Sequence, residues 1–549
     1  MGFLDRLRGK RGAAAGPEGV AIRIRTPRTP RAERPGRARA MPHALKAALA
    51  IATAFYLLAH YSIVQGVWPV HGTAPHSGAI LLRDVAAMFA WLLLIVVLHL
   101  MRYRGSWAVV ALPVVIFFFT RPSLFQLFTD PAYQAQGKER VEANALKAER
   151  SRLTTVVRAY DEPRQELVFG GAPPKLPDPV TAIRTATRPE RASLLNFGAA
   201  AAVILAPLVL LLAYMGTKRL GSLRWARDQR RWIFALAFAI FLAFTMLPGV
   251  RATGKVAGTT PWELLLPVFV LVWAAVLADD AYNLARPGAV LAPRRILGLV
   301  LYGALPLVPF LLIHELGLSV VLAGSLAAML LVGTRRGWWA GLMLVLWVAL
   351  VFAAFHVDQR SQTRLELAYH PYPDPAAMTQ SETEAWAAKN YQIKLFDANI
   401  LAGGWLGAGP GRGHAETAPD AADDGYITTI AAQWGWAGAL SLVLLYTAFL
   451  VQMLAVAVRE RGAFERSLVT GLAMLIAIPF WLATLGGIRV IPLTGVAAAF
   501  AAHGGAKLLA SALAVGIVAG VSQRRAEEAR LEAVARSGGD LSEQGVRIR

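Results

Sequence analysis

The sequence predicts an all-α protein that crosses a membrane about twelve times. Of its 549 residues, 56% are hydrophobic, and its mean hydropathy is +0.46. Apolar runs of about 18 residues or more recur along the chain, and each is long enough to span a bilayer core of about 30 Å as a helix. Basic residues concentrate in every second short loop, which is typical of a polytopic membrane protein. The absence of cysteine excludes disulfides and thiolate metal sites.

Twelve apolar segments account for the predicted helices. The first two form an N-terminal hairpin within residues 42–105, and ten more form a core within residues 106–522. The Arg- and Pro-rich residues 1–41 are predicted to be a disordered cytoplasmic tail, and residues 523–549 a second cytoplasmic tail. The third segment is short, and residues 296–333 permit a different division. The segments are residues 44–65, 79–101, 106–120, 194–215, 232–249, 261–279, 296–313, 315–333, 338–356, 426–457, 467–486 and 505–522.

Lysine and arginine in the short loops predict the orientation of these helices. The loops after the second, fourth, sixth, eighth and tenth segments are basic, whereas residues 66–78 contain neither lysine nor arginine. Because basic loops stay in the cytoplasm, both termini are predicted to lie there. Two long loops, residues 121–193 and 357–425, then fall outside. The net charge of +21 is therefore interpreted as a topology signal of a cytoplasmic-membrane protein, and no nucleic-acid partner is expected.

Residues 403–438 form the candidate active site. They read GGWLGAGPGRGHAETAPDAADDGYITTIAAQWGWAG, in which a glycine run precedes Asp420, Asp423 and Asp424 at the start of an apolar segment. Partial desolvation and repulsion between acidic neighbours raise the pKa of a carboxyl group. We therefore hypothesise that Asp424 is a catalytic base. The alternative is that an aspartate here caps the helix that follows.

The glycines and several nearby charges are candidate substrate-binding residues. The run containing Gly403, Gly404, Gly407 and Gly409 is either a flexible, tightly turning loop or a close approach of backbone to substrate. Ionisable groups in or beside apolar runs are costly, so each needs a partner or a wet cavity. They either pair or snorkel at helix ends, or they line a polar cavity that binds phosphate. The charged residues in or beside apolar runs are Glu263, Glu315, Arg489 and Lys507, and the candidates to face a phosphate in such a cavity are Arg251, Lys255 and Arg489.

The sequence around Asp424 resembles the SEDS family of bacterial cell-wall proteins, which includes FtsW, RodA and SpoVE. Residues 391–393 (YQI) and the glycine run follow the family pattern. From residue 419 to residue 438 the match needs no gap, and Asp424 falls on the family's essential aspartate. Weaker matches are residues 261–263 (PWE for PSE), 314–317 (HELG for PDLG) and 492–505 (PLTGVAAAFAAHGG for PTKGLTLPLISYGG).

The resemblance covers about residues 194–522 and departs from the family at charged and polar positions. The lysine that the family carries three residues after the PSE glutamate is Leu266 here, and the lysine of PTKG is Thr494. The serines that follow the double glycine are Ala506 and Lys507. The chain therefore resembles a divergent member, with a ten-helix core and an added N-terminal hairpin.

The resemblance implies a peptidoglycan glycosyltransferase that polymerises lipid II, a polyprenyl diphosphate-linked disaccharide peptide, at the outer face of the cytoplasmic membrane. Asp424 would deprotonate the acceptor sugar, with Asp420 and Asp423 beside it. The departing polyprenyl diphosphate needs positive charge nearby. The candidate cations are Arg251, Lys255, Lys394 and Arg489.

The resemblance also implies partners in cell division or elongation. A class B penicillin-binding transpeptidase and other divisome or elongasome proteins are expected, and residues 121–193 are a candidate docking loop. The resemblance assigns no definite cofactor, although a divalent cation, Mg or Mn, could share the neutralisation of the diphosphate. Two alternatives stay open: a flippase for lipid-linked precursors and a catalytically inactive scaffold of a cell-wall complex. An O-antigen ligase or polymerase shares the large outer loop, but those enzymes depend on arginine and histidine there, whereas this loop is acidic.

Overall fold

The computed structural model describes residues 40–134, 189–219, 224–247, 260–285, 293–313, 315–355, 359–370 and 379–536. These residues form helices and connecting turns with no strand among them, which confirms the all-α fold class. Residues 1–39 of the predicted disordered tail, most of the loop at 121–193, and both Arg251 and Lys255 lie outside the described residues.

The chain divides into two units. The larger unit ends at Leu531, and the described residues from Glu532 to Arg536 belong to the smaller one. Every site discussed below lies in the larger unit.

The longer helices of the described residues are labelled here in chain order. Short helical turns at Ile63–Val67, Pro261–Leu264 and Ala415–Thr417 lie between them. The labelled helices are α1 His43–Ser62, α2 Ser77–Leu100, α3 Trp107–Thr129, α4 Pro189–Arg219, α5 Arg230–Thr245, α6 Leu266–Ala285, α7 Pro293–Ala304, α8 Leu316–Thr334, α9 Gly337–Phe355, α10 Gln359–Tyr369, α11 Gln380–Gly403, α12 Tyr426–Arg459, α13 Ala463–Gly487 and α14 Gly505–Arg536.

Nine helices within the described ranges are long and apolar enough to cross a membrane. They correspond to nine of the twelve predicted segments. The other three segments, at 232–249, 296–313 and 338–356, are also helical, but their described apolar stretches are shorter than 18 residues. The multi-pass helical architecture is confirmed, while the number of crossings and the side on which the termini lie stay predictions.

Helix α3 is longer than the sequence predicts. The predicted segment ends at residue 120, but α3 continues to Thr129 with Pro122 inside it. An arginine followed by a proline usually weakens a membrane helix, because the charge is costly and the proline removes a backbone donor. Here Arg121 is buried, and it donates two hydrogen bonds to the Asp84 carboxylate of α2, at 2.9 and 2.7 Å. This pairing allows the helix to continue.

Helix α13 lies at the centre of the bundle, with α6, α8 and α12 packed against it. A small residue permits the close approach to α8, because an added Cβ at Gly471 would overlap the Met329 side chain. The Tyr446 ring of α12 stacks on the Phe480 ring of α13 with the centroids 3.8 Å apart. These contacts fix α12, whose first turn follows the candidate active site.

Candidate active site

The backbone of α12 is interrupted near its start. Gly435 has φ +65° and ψ −170°, a conformation that residues with a side chain rarely adopt. The interruption releases the next two N–H groups from the helical ladder. Trp436 N and Ala437 N donate instead to the carbonyl oxygens of Gly404 (2.9 Å) and Trp405 (3.1 Å). The glycine run is therefore held against α12 by backbone hydrogen bonds.

Two further hydrogen bonds join the glycine run to the same part of α12. Ala408 N and Gly409 N donate to the carbonyl oxygens of Ala432 and Gln433, each at 3.0 Å. In an unbroken helix these carbonyls would accept from the residues four positions later. The loop thus replaces the hydrogen bonds that the interruption removes. The tight turning of the run is confirmed by the positive φ of Gly404, Gly407 and Gly409, whereas a close approach of its backbone to substrate stays a prediction.

Gly403→Ala is expected to lower the melting temperature of the purified protein by several degrees. A Cβ at Gly403 would overlap the backbone carbonyl of Ala431, and overpacking of this kind costs about 1–3 kcal/mol of unfolding free energy. Gly341→Ala in α9 is the matched control, because its Cβ meets nothing within 4 Å and alanine favours a helix. Equal melting temperatures for the two variants would contradict the packing role.

Asp424 lies in a tight turn between the glycine run and α12. The Asp420 carbonyl oxygen accepts from the backbone N–H groups of Asp423 (2.9 Å) and Gly425 (3.1 Å). Asp424 is 6% exposed, and its buried Oδ1 has no hydrogen-bond partner among the described residues. Gly425 precedes the first residue of α12, and no side chain caps the helix there. The capping alternative for Asp424 is therefore wrong.

The surroundings of Asp424 raise its pKa to about 8. Burial is the largest cause, because the charged carboxylate loses its water. The negative charges of Asp420 and Asp423 raise the pKa further, whereas the positive charge of Arg364 lowers it. The expected effect of desolvation and acidic neighbours is confirmed. A carboxyl group with this pKa accepts and releases a proton near neutral pH, as a general base must.

Arg364 is a candidate residue that the sequence analysis missed. It lies on α10, within the long loop predicted at 357–425, and its Nη1 donates to the carbonyl oxygen of Thr494 at 3.4 Å. Its positive charge lowers the pKa of the Asp424 carboxyl group. The sequence contains no motif that marks this arginine among the other charges of the loop.

Three of the predicted charged residues form ion pairs. Lys507 Nζ lies 3.7 Å from Glu263 Oε1, and both side chains are buried, at 4% and 7% exposed. Arg489 Nε lies 3.1 Å from Asp397 Oδ1 on α11. The pairing alternative is therefore confirmed for Glu263, Lys507 and Arg489.

Two other predicted residues, Lys394 and Glu315, lie on α11 and just before α8. Lys394 is exposed on α11. Glu315 precedes the first residue of α8, where its backbone N–H donates to the Phe310 carbonyl at 2.9 Å and its side chain forms no cap. Their roles in substrate binding stay predictions.

A metal ion has no evident protein cage in the part of the chain that the structure describes. No group of three or more His, Asp or Glu side chains there is arranged to hold one. The participation of Mg or Mn stays a prediction.

The sequence of the central and C-terminal bundle matches a known family. Residues 255–527, which include Glu263, Asp424 and Lys507, match the family model described as cell cycle protein, which covers FtsW, RodA and SpoVE. The chain belongs to the SEDS family. The SEDS resemblance carried by the residues around Asp424 is thereby confirmed.

Named relatives of this SEDS chain include RodA and FtsW proteins. The peptidoglycan glycosyltransferase RodA of Mycobacterium tuberculosis is 28% identical over 208 residues, which cover 38% of this chain and 42% of that protein. A probable peptidoglycan glycosyltransferase FtsW of Trichlorobacter lovleyi is 26% identical over 310 residues, which cover 53% of this chain and 76% of that protein. The chain thus matches less than half the length of the mycobacterial RodA.

Solved structures similar to this SEDS chain include RodA of Thermus thermophilus. That likeness covers 61% of this chain and 94% of the other, with 16% identity and a TM-score of 0.37. A second likeness is to a chain from a peptidoglycan synthase complex. It covers 60% of this chain and 90% of that chain, with 19% identity and a TM-score of 0.46. At these identities the likeness concerns the fold alone.

Proposed function

We propose that this SEDS protein is an inverting peptidoglycan glycosyltransferase that polymerises lipid II at the outer face of the bacterial cytoplasmic membrane. One observation carries the proposal. Asp424, at the position of the family's essential aspartate, is a buried carboxyl group with an unpartnered oxygen and a pKa of about 8. Burying a polar group without a hydrogen bond costs stability, so a structural role does not account for it. The names of the RodA and FtsW relatives support this reaction class.

In the proposed reaction, the Asp424 carboxylate accepts the proton of the acceptor sugar's 4-hydroxyl group. The hydroxyl oxygen forms a bond to the anomeric carbon of the donor lipid II, from the face opposite the diphosphate. The bond between that carbon and the diphosphate oxygen breaks, and the polyprenyl diphosphate leaves with the electron pair. The configuration at the anomeric carbon inverts, and no cofactor is consumed.

The proposed partner is a class B penicillin-binding transpeptidase, which would crosslink the glycan strands that this protein makes. The proposed setting is a divisome or an elongasome. The resemblance to the SEDS family supports both proposals.

The rate of glycan polymerisation is expected to rise with pH and to level off above about pH 8, because Asp424 acts as the ionised base. Asp420→Asn removes a charge that raises the pKa, so its midpoint should move to lower pH. Arg364→Gln removes the charge that lowers the pKa, so its midpoint should move to higher pH. Initial rates of the three proteins between about pH 6 and pH 9.5 check this. Shifts of the opposite sign would refute Asp424 as the titrating group.

The proposed function is tested with the purified protein, its transpeptidase partner and labelled lipid II. Glycan polymer resolved on a gel supports the glycosyltransferase. Transfer of labelled lipid II across liposome bilayers without polymer would replace the proposal with a flippase. Neither polymer nor transfer would leave an inactive scaffold.

A further inference from the structure

A buried cluster of charged side chains joins α2 to α3, outside the residues that match the family model. Asp84 is fully buried, and its Oδ1 accepts from Arg121 Nη2 (2.7 Å) and Arg83 Nε (2.9 Å). Its Oδ2 accepts from Arg121 Nε at 2.9 Å. His60 Nε2 lies 3.7 Å from the same Oδ2. The single carboxylate is thus shared by two guanidinium groups.

This cluster contains more positive charge than negative charge. Two arginines face one aspartate, so the net charge is +1 even when His60 is neutral. Arg83 Nη2 is buried and has no hydrogen-bond partner, and neither Arg83 Nη1 nor Arg121 Nη1 has one among the described residues. A buried, unbalanced charge in a membrane protein is costly and usually marks a functional site. Within the part of the chain that the structure describes, the cluster therefore has no second anion to balance its charge.

A chain of contacts through Phe128 and His503 connects the cluster to the turn that carries Asp424. The guanidinium carbons of Arg83 and Arg121 each lie 5.8 Å from the ring centroid of Phe128. The Phe128 ring contacts the His503 ring with the centroids 4.7 Å apart. His503 N in turn donates to the carbonyl oxygen of Ala422 at 2.7 Å, two residues before Asp424.

A small cavity opens at this junction. Arg121, Thr120 and His503 line it together with the apolar side chains of Leu124 and Phe500. Arg121 donates from Nε and Nη2 to Asp84, so its Nη1 is the guanidinium nitrogen that remains for another acceptor, and Arg83 keeps both Nη atoms. Guanidinium nitrogens form strong charge-assisted hydrogen bonds with phosphate oxygens.

We propose that Arg83 and Arg121 bind a phosphate group of the polyprenyl diphosphate that leaves during glycosyl transfer. This inference rests on the proposed function, and it assigns the leaving-group site to the N-terminal helices instead of Arg251, Lys255, Lys394 or Arg489. The bound diphosphate supplies a second anion that balances the charge of the cluster. The developing charge on the leaving oxygen is then stabilised by cations that are fixed before the substrate arrives.

The test is equilibrium binding of a fluorescent polyprenyl diphosphate in detergent micelles. It uses the Asp424→Asn variant, so that no transfer occurs. Arg83→Gln in that background is expected to weaken binding by about 10- to 100-fold, the effect of losing a charge-assisted hydrogen bond. Arg83→Lys keeps the charge and should recover part of the loss. Arg459→Gln, an exposed arginine at the other end of α12, should bind as the parent does.

Competition identifies the source of the bound phosphate. Unlabelled polyprenyl diphosphate should displace the probe, whereas polyprenol and phosphatidylglycerol should not. Unchanged binding by a folded Arg83→Gln variant would overturn the inference, as would equal competition by phosphatidylglycerol, which would indicate an ordinary lipid headgroup. Arg83-dependent binding without any polymer from the parent protein would leave this site intact and overturn the proposed function.

Discussion

Replacing Asp424 by asparagine is expected to lower the rate of glycan polymerisation by about 10²- to 10⁴-fold, the usual contribution of a general base. The amide keeps the size of the side chain but does not accept a proton near neutral pH. Because the buried Oδ1 of Asp424 makes no hydrogen bond to a described residue, the substitution removes no structural contact there. The measurement is polymer formed from labelled lipid II at about pH 8.5, where most of the parent carboxyl groups are ionised.

The melting temperature of Asp424→Asn shows whether a lower rate comes from loss of the base or from loss of the fold. The folded-state pKa of about 8 lies above the unfolded value of about 4. The stability linked to this group is therefore fully present below about pH 4 and is lost as pH rises through about 8. Asp424→Asn removes that loss, so at about pH 9 it should melt at or above the temperature of the parent.

The matched control for Asp424→Asn is Glu366→Gln. Glu366 is an exposed acid on α10 in the same long loop, so this variant should polymerise lipid II at the parental rate. A well-folded Asp424→Asn protein that also kept the parental rate would refute the assignment of Asp424 as the base.

The raised pKa in the turn that holds Asp424 could be predicted from the sequence, because it depends on neighbours along the chain. Three aspartates within five positions repel one another wherever the turn lies, and an apolar segment directly after them places them at a helix start. Those two facts were enough to predict a raised pKa. The fold class could be predicted for a similar reason, since helix length and hydropathy are local properties.

The positions of the cations around the site could not be predicted from the sequence, because they are set by contacts between distant segments. Arg121 and Asp84 lie 37 positions apart, and their pairing keeps α3 helical past the arginine where the sequence predicts an end. Arg364 acts on Asp424 from a different helix. The sequence shows that an intramembrane charge needs a partner, but only the packing of helices decides which partner it finds.

Breaking the buried pair of Glu263 and Lys507 from one side is expected to lower the free energy of unfolding by about 3–5 kcal/mol. Lys507→Met leaves the Glu263 carboxylate buried without its cation, and Glu263→Gln leaves the ammonium group without its anion. The double variant Glu263→Met with Lys507→Met buries no unpaired charge, so it should melt close to the parent. Melting temperatures that fall additively in the double variant would contradict this coupling.

The same pair accounts for a leucine where the SEDS pattern has a lysine. Leu266, Glu263 and Lys507 line one small cavity, so the cation stands on α14, at a position where the family pattern has a serine. A chain with both Leu266→Lys and Lys507→Ser should therefore recover most of the melting temperature that Lys507→Ser loses alone. If the melting temperature does not recover, a cation near the Glu263 carboxylate is not sufficient, and the stabilisation requires the cation to stand on α14.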